Sequence, residues 1–353
     1  METVLNASPV SLGRHNDPTS SVFTATSSHR LRSAELVTPC ISSGGAAVVD
    51  TVGLLIACEL RCLEPEQKLV ENGRYQVFLA RAPQVPVALG EIGRLREEAF
   101  RAVGEGTGQD RDLDQYDEWY HHLLVWDIES QEILGAYRLA FSEEILNTVG
   151  LHGFYSRSLF EYSRPLLNAL GPSIELGRSF VRIDRQRCSR VLAMLWRGIG
   201  TVIARLPRYA TLFGPVSMSA SYSEYSRQLT ARVLQQGSYL HPLHTLVDAP
   251  RPPGTEQSEA TECDTIAELN QEIARAEKPG TKLPTLIEEY QRLGGRFLGF
   301  SVDPAFASAM DGLVVVDLRQ TPERLLRLYM GSDNYDHFML AHRSPGSGIA
   351  CSP

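Results

Sequence analysis

Glu175 and Arg178 stand three residues apart with Gly177 between them, at the head of a segment, Ser173 to Ser219, that reads as strand, basic loop, amphipathic helix, strand. The loop and helix that follow carry Arg182, Arg185, Arg187, Arg190, Arg197, Arg205 and Arg208. From Ser179 to Arg208 the only acid is Asp184. A chain with 42 acidic and 34 basic residues thus gathers positive charge at one strand–loop–helix junction. Free N–H groups and the dipole at the start of that helix favour an anion, so the segment suits a phosphate-bearing, acidic partner. Glu175 and Arg178 supply a carboxylate and a guanidinium beside it. On a regular strand such a pair points to opposite faces. A bulge near Gly177 would turn both toward one cleft and expose a backbone N–H there. The alternative is a structural ion pair.

Other spacings carry less. Cys58-x-x-x-Cys62 lacks a second ligand pair and His241-x-x-His244 straddles Pro242 in a non-helical stretch, so no metal is expected. Cys188 has no His near it in sequence to activate it. Ser217, Ser219, Ser221 and Ser223 follow a strand end and either cap the next helix or hydrogen-bond a substrate.

The positioning elements follow from periodicity. Arg74–Ala80 and His121–Asp127 read as strands, with Glu132–Phe141 returning as an antiparallel partner, and Leu89–Val103 shows helical apolar spacing. Residues 142–170 read as mixed with short helices, and Ser223–Gln236 as a helix with a Ser start signal. Leu283–Leu293 reads as a helix ended by Gly294-Gly295. Phe297–Val302 and Leu313–Leu318 read as strands around a short helix at Pro304–Met310, and Pro322–Met330 as a helix.

The chain of 353 residues, 43% hydrophobic and 22% charged, can bury a core. Its net charge of −8 argues against general nucleic-acid binding. Six cysteines without repeated spacing read as free thiols in a reducing compartment. The run Ala46–Cys58 falls short of the ~20 apolar residues that span a bilayer, and it lacks the basic flank of a signal peptide. A cytoplasmic location is expected, with peripheral membrane contact left open. Residues 1–45 read as a disordered leader, 46–72 as an ambiguous extension with order starting at Gly73, 73–342 as a single α/β domain with a polar insertion at 249–281, and 343–353 as a flexible tail.

The order of elements is similar to the GNAT acyltransferase fold, a mixed, mostly antiparallel sheet with helices on both faces. Arg96 and Phe100 form R-x-x-x-F on the first helix of that unit, Asp114 and Asp117 form D-Q-Y-D before the next strand, Arg138 sits in GAYRL, and Glu175 and Arg178 form ELGR. Together they resemble the constellation of acyl-homoserine-lactone synthases and of N-acyl amino acid and ornithine-lipid N-acyltransferases. ELGRSFV, LFGPVSMS, YQRLGGRFLGFSVDP and GLVVVDL resemble most closely the N-acyltransferase module called hemolysin-like.

The resemblance implies transfer of a fatty acyl chain from acyl carrier protein to the amine of a small acceptor, an amino acid foremost, giving an N-acyl amino acid or an aminolipid precursor. It implies no tightly bound cofactor. In the GNAT pattern the pyrophosphate loop is rich in glycine. Here it is Arg185-Gln186-Arg187-Cys188-Ser189-Arg190, which favours the single phosphate of a carrier-protein phosphopantetheine over acyl-CoA. Aminolysis of a thioester needs a neutral amine, and an amine with pKa near ~10 must first lose a proton. Glu175 is the expected base and the Gly177–Arg178 region the expected holder of the thioester carbonyl. Arg96, Phe100, Asp114, Asp117 and Arg138 would hold the acceptor. Val181, Arg187, Cys188, Ser189, Arg190 and Ser217 would hold the phosphopantetheine. The rivals are homoserine-lactone-type chemistry on S-adenosylmethionine and a non-catalytic acyl or carrier-protein binding module.

Overall fold

The computed structural model describes residues 51–186, 189–254 and 263–342. The expected leader at 1–45, the tail at 343–353, and the site candidates Arg187 and Cys188 lie outside the described residues.

The chain opens with α1 (Thr51–Arg61), β1 (Lys68–Asn72), β2 (Tyr75–Arg81) and α2 (Pro86–Ala102). It continues through β3 (His121–Asp127), β4 (Glu132–Phe141), α3 (Ser142–Thr148), the two-residue β5 (Glu161–Tyr162) and α4 (Arg164–Leu170). Then come β6 (Ser173–Val181), α5 (Ser189–Arg205), β7 (Thr211–Met218), α6 (Glu224–Leu234) and β8 (Val247–Asp248). The last elements are α7 (Ile266–Ala276), α8 (Thr285–Arg292), β9 (Arg296–Asp303), β10 (Ala309–Asp317), α9 (Glu323–Met330) and α10 (Ser332–Ala341). No described helix is long and apolar enough to cross a membrane.

Eight strands form one sheet in the order β1-β2-β3-β4-β6-β7-β10-β9, and β5 pairs with β8 apart from it. Every neighbouring pair in the large sheet is antiparallel except β6–β7. The sheet is therefore mixed and mostly antiparallel, the GNAT-type arrangement. β1 extends it beyond the expected start at Gly73. The expected helix at Pro304–Met310 is instead a hairpin turn, in which Ala307 and Ser308 take φ of +50° and +56°.

Strand alternation sends side chains to two faces. Leu123 and Val125 join Leu195, Ile199 and Val202 of α5 in one core. Leu124 and Trp126 join Ile56 of α1 and Ile92 and Leu95 of α2 in another. On that second side a third cluster, around Phe154, Phe160 and Leu166, covers Phe213 of β7 and Leu313 of β10. Helices thus cover both faces, with α5 on one and α1–α2 on the other.

The parallel pairing of β6 with β7 lasts only from Ser173↔Thr211 to Glu175↔Phe213. Two residues of β7 mark the point where it stops. Gly214 lets β7 lie close against Leu176, where a Cβ would come within 2.0 Å of the carbonyl oxygen, and the next residue, Pro215, has no N–H to continue the ladder. Past that point β6 stays on β4 and β7 stays on β10. The strands separate and a cavity opens between them.

Candidate active site

The cavity in the β6–β7 gap measures about 890 Å³. Phe100, Arg178, Val181, Ser189 and Ser217 line it, as do Glu105 and Asp311. The β6–β4 register shifts between Ala136 and Arg138, opposite Gly177–Phe180, so the strand bulges there. Arg178 occupies the bulge with φ of +49°, a conformation that costs a non-glycine residue energy and collects at functional sites. The extra residue brings Glu175 and Arg178 onto the α2 side of the sheet, where both meet Tyr155. They do not pair with each other. Glu175 Oε2 accepts the Tyr155 N–H at 3.0 Å, and Arg178 Nη1 donates to the Tyr155 hydroxyl at 3.1 Å.

The geometry sets Glu175 apart from the cavity. It is fully buried, does not line the cavity, and both its oxygens are engaged. Oε1 accepts the Ser156 N–H at 2.8 Å, and Oε2 accepts the Tyr120 hydroxyl as well as the Tyr155 N–H. Burial raises its pKa while these bonds oppose the rise. A carboxylate so enclosed is tied to the turn after Phe154.

Behind Arg178 the expected acceptor residues form a buried charge network. Arg96 and Phe100 lie one turn apart on α2, on the same side of the helix. Arg96 reaches Asp112 at 3.1 Å and Asp117 at 2.9 Å. Arg138 on β4 reaches Asp114 at 2.5 Å and Asp117 at 3.4 Å. Arg178 closes the set through Nε to Asp112 at 3.3 Å. The Arg138 guanidinium lies 4.9–5.5 Å from the ring centres of Tyr116, Tyr120 and Tyr155. Burial alone would raise the Asp117 pKa, but Arg138 and Arg96 outweigh it and hold the carboxyl well below its usual range. Arg96, Asp114, Asp117 and Arg138 therefore support Arg178 from behind and are not among the groups that line the cavity; Phe100 is, edge-on to Phe306 at 5.2 Å.

Several members of the arginine run are already paired. Arg182 pairs with Glu132 at 2.7 Å and Asp184 at 3.0 Å, Arg185 with Asp184 at 3.5 Å, and Arg208 with Glu143 at 2.9 Å. Arg190 does not line the cavity and lies over the Tyr75 ring at 5.8 Å. The exposed cations on the cavity rim are instead Lys278 and Lys282, between α7 and α8, and neither forms an ion pair among the described residues. Gln186 and Ser189, where α5 begins, are exposed on the same rim. Part of the supposed surface insertion is thus a wall of the cavity.

Two carboxyls that the motifs did not indicate complete the site. Glu105 follows the left-handed Gly104 that ends α2 (φ +81°), and its Oε2 accepts from Ser217 Oγ at 2.8 Å. Asp311 lies opposite Ser217 in the β10–β7 ladder. Burial raises both carboxyl pKa values, against the pull of Arg178, and for Asp311 the neighbouring Asp303 and Glu105 add to the rise. The sequence signal was present only as a polar residue among small and apolar ones in AMDGLVVVD.

A sheet-splitting cavity, open at its rim, with a supported guanidinium, buried carboxyls and exposed lysines is the candidate active site of this fold. Residues 95–197 match the family described as the acetyltransferase (GNAT) domain. The chain is similar to a protein named glycine N(alpha)-acyltransferase from Bacteroides thetaiotaomicron, with 30% identity over 274 residues, covering 71% of this chain and 80% of that one. It is also similar to a protein of the same name from Phocaeicola vulgatus, with 33% identity over 173 residues, covering 46% of this chain and 53% of that one. Among solved structures, the acyl-homoserine-lactone synthase LasI aligns over 73% of this chain and 98% of its own, with 11% identity and a TM-score of 0.37. The chain belongs to the GNAT-fold N-acyltransferases and is an acyltransferase.

Proposed function

We propose that this enzyme moves a fatty acyl chain from the phosphopantetheine of acyl carrier protein to the amine of a small amino acid, glycine first among them. The observation that carries the reading is that the cavity threads the sheet. Alternation places Ser217 and Asp311 on the same face as Phe213 and Leu313, the α2 side, with Arg178. Leu192, Leu195, Tyr137 and Leu283 line the same cavity on the α5 side. One face thus offers charge and the other offers apolar surface, and the two meet where β6 loses its β7 partner. Unpaired backbone donors along that edge suit the developing oxyanion of a thioester under attack.

The acyl chain would lie against the α5 side. The phosphate would sit at the rim, between the start of α5 and Lys278 and Lys282. Arg178, the guanidinium that reaches the cavity with support from Asp112, suits the acceptor carboxylate. The names of the two relatives favour glycine as acceptor.

The test is intact-mass spectrometry of acyl carrier protein charged with C8 to C18 chains, incubated with the enzyme and single amino acids, with acyl-CoA in parallel. Deacylation that depends on glycine supports the reading. Deacylation of acyl-CoA alone would replace the donor. A carrier protein that stays charged with every amine, with acyl-CoA also untouched, would leave only a binding module.

A further inference from the structure

Asp311 is 5% exposed, it lines the cavity, and its Oδ2 has no hydrogen-bond partner. A buried carboxylate oxygen left unpaired is costly unless the residue is protonated or a ligand supplies the missing donor. Its surroundings narrow the ligand. Ser217 faces it across the ladder and gives its hydroxyl to Glu105. Asp303 and Glu105 bear on it with negative charge, and the cation that bears on it is Arg178, whose Nε points to Asp112. The place therefore has an excess of carboxyl groups and room for one small cation that can donate hydrogen bonds. It lies on the charged side of the gap, on β10 beside β7, in the same cavity that Arg178 and Val181 of β6 line.

We propose that Asp311 is the catalytic base of the transfer, receiving the acceptor's ammonium group at Oδ2, with Glu105 as the second carboxylate of that subsite. This rests on the acceptor reading above. In the step, one ammonium proton passes to the Asp311 carboxylate. The freed lone pair forms the C–N bond at the thioester carbonyl, and the C–S bond breaks. The second proton shed by nitrogen ends on the leaving thiolate, and Asp311 later returns its proton to solvent. The raised carboxyl pKa shortens the gap to that of the amine, which favours the transfer.

The experiment compares glycine with aminooxyacetate, whose amine is already neutral at pH 7, using charged acyl carrier protein between pH 6 and 9. Asp311→Asn is close in shape, and its melting temperature is measured alongside. The expected result is a loss on the order of 10²–10⁴-fold with glycine at pH 7, while aminooxyacetate stays within a few-fold of wild type. With glycine, the wild-type rate should be level around neutral pH, and that of Asp311→Asn should climb about tenfold per pH unit as free amine accumulates. Unchanged glycine turnover, or equal loss of both nucleophiles in a variant that melts like wild type, overturns the proposal. Should the variant not fold, the wild-type profile decides: a level region supports a base, and a tenfold-per-unit climb throughout overturns it. A wild type active only with another amine overturns the glycine reading alone, because the same contrast is then made with that amine. A wild type inert with every amine overturns both.

Discussion

Glu175 holds Tyr155 by its backbone: the Tyr155 N–H donates to Glu175 Oε2 at 3.0 Å, and the next N–H, of Ser156, donates to Oε1 at 2.8 Å. Replacing Glu175 with Gln turns one of those acceptors into an NH₂ group facing an N–H. We expect a loss of about 1–3 kcal/mol of stability, seen as an earlier urea midpoint with an unchanged m-value. Turnover should fall because Tyr155 and Arg178 shift, and the pH profile of the remaining activity should keep its shape. A variant as stable as wild type with its level pH region gone would restore Glu175 as the base.

Arg138 lies between Asp114 and Asp117 and among three tyrosine rings. Arg138→Met removes the cation and leaves buried carboxylates without it. The expected cost is roughly 3–5 kcal/mol, measured by chemical denaturation. Arg138→Lys should recover little, because an ammonium cannot reproduce the planar stack.

Stability should peak on the acid side of neutral. Burial raises Glu175, Glu105 and Asp311 above the ordinary carboxyl values of 4.5 and 3.8. A raised folded pKa means that the folded state takes up protons first, so stability increases as pH falls from above those values toward the ordinary ones. Asp117 does the opposite. Its folded pKa is lowered, so its contribution is present above 3.8 and is lost as pH falls below that value toward the folded one. Urea melts across pH 3–8 should show the rise and then the fall, and Asp311→Asn should flatten the rise.

Lys278 and Lys282 should serve the donor. Their double replacement by Ala should raise the KM for charged acyl carrier protein several-fold and weaken its salt dependence, with kcat nearly unchanged. A donor lacking the phosphate and the protein should be insensitive. Steady-state kinetics at two ionic strengths reads both effects.

Much of the scaffold was legible. β3 and β4 fall at His121–Asp127 and Glu132–Phe141 as read, because their apolar runs are bounded by turn residues. α9 falls at Glu323–Met330, within the helix read at Pro322–Met330. The turn at Pro304–Ser308 was misread because two left-handed residues there are Ala307 and Ser308, neither a usual mark of such a turn. That error hid the start of β10, and Asp311 with it. Glu175 was legible as a site residue and not as an enclosed one. Composition shows a carboxylate, whereas its three donors come from Tyr120, Tyr155 and Ser156, up to 55 residues away in the chain. The partners of the arginine run were not legible for a similar reason: Arg182 meets Glu132 and Arg208 meets Glu143, acids on the β4–α3 stretch that no local window contains.

The splay of β6 from β7 has a kinetic consequence. If the acyl chain enters from the α5 side and the amine from the α2 side, neither substrate blocks the other's route. Initial-velocity plots should then intersect, as in a sequential scheme through a ternary complex, and no half-reaction should release thiol before the amine arrives.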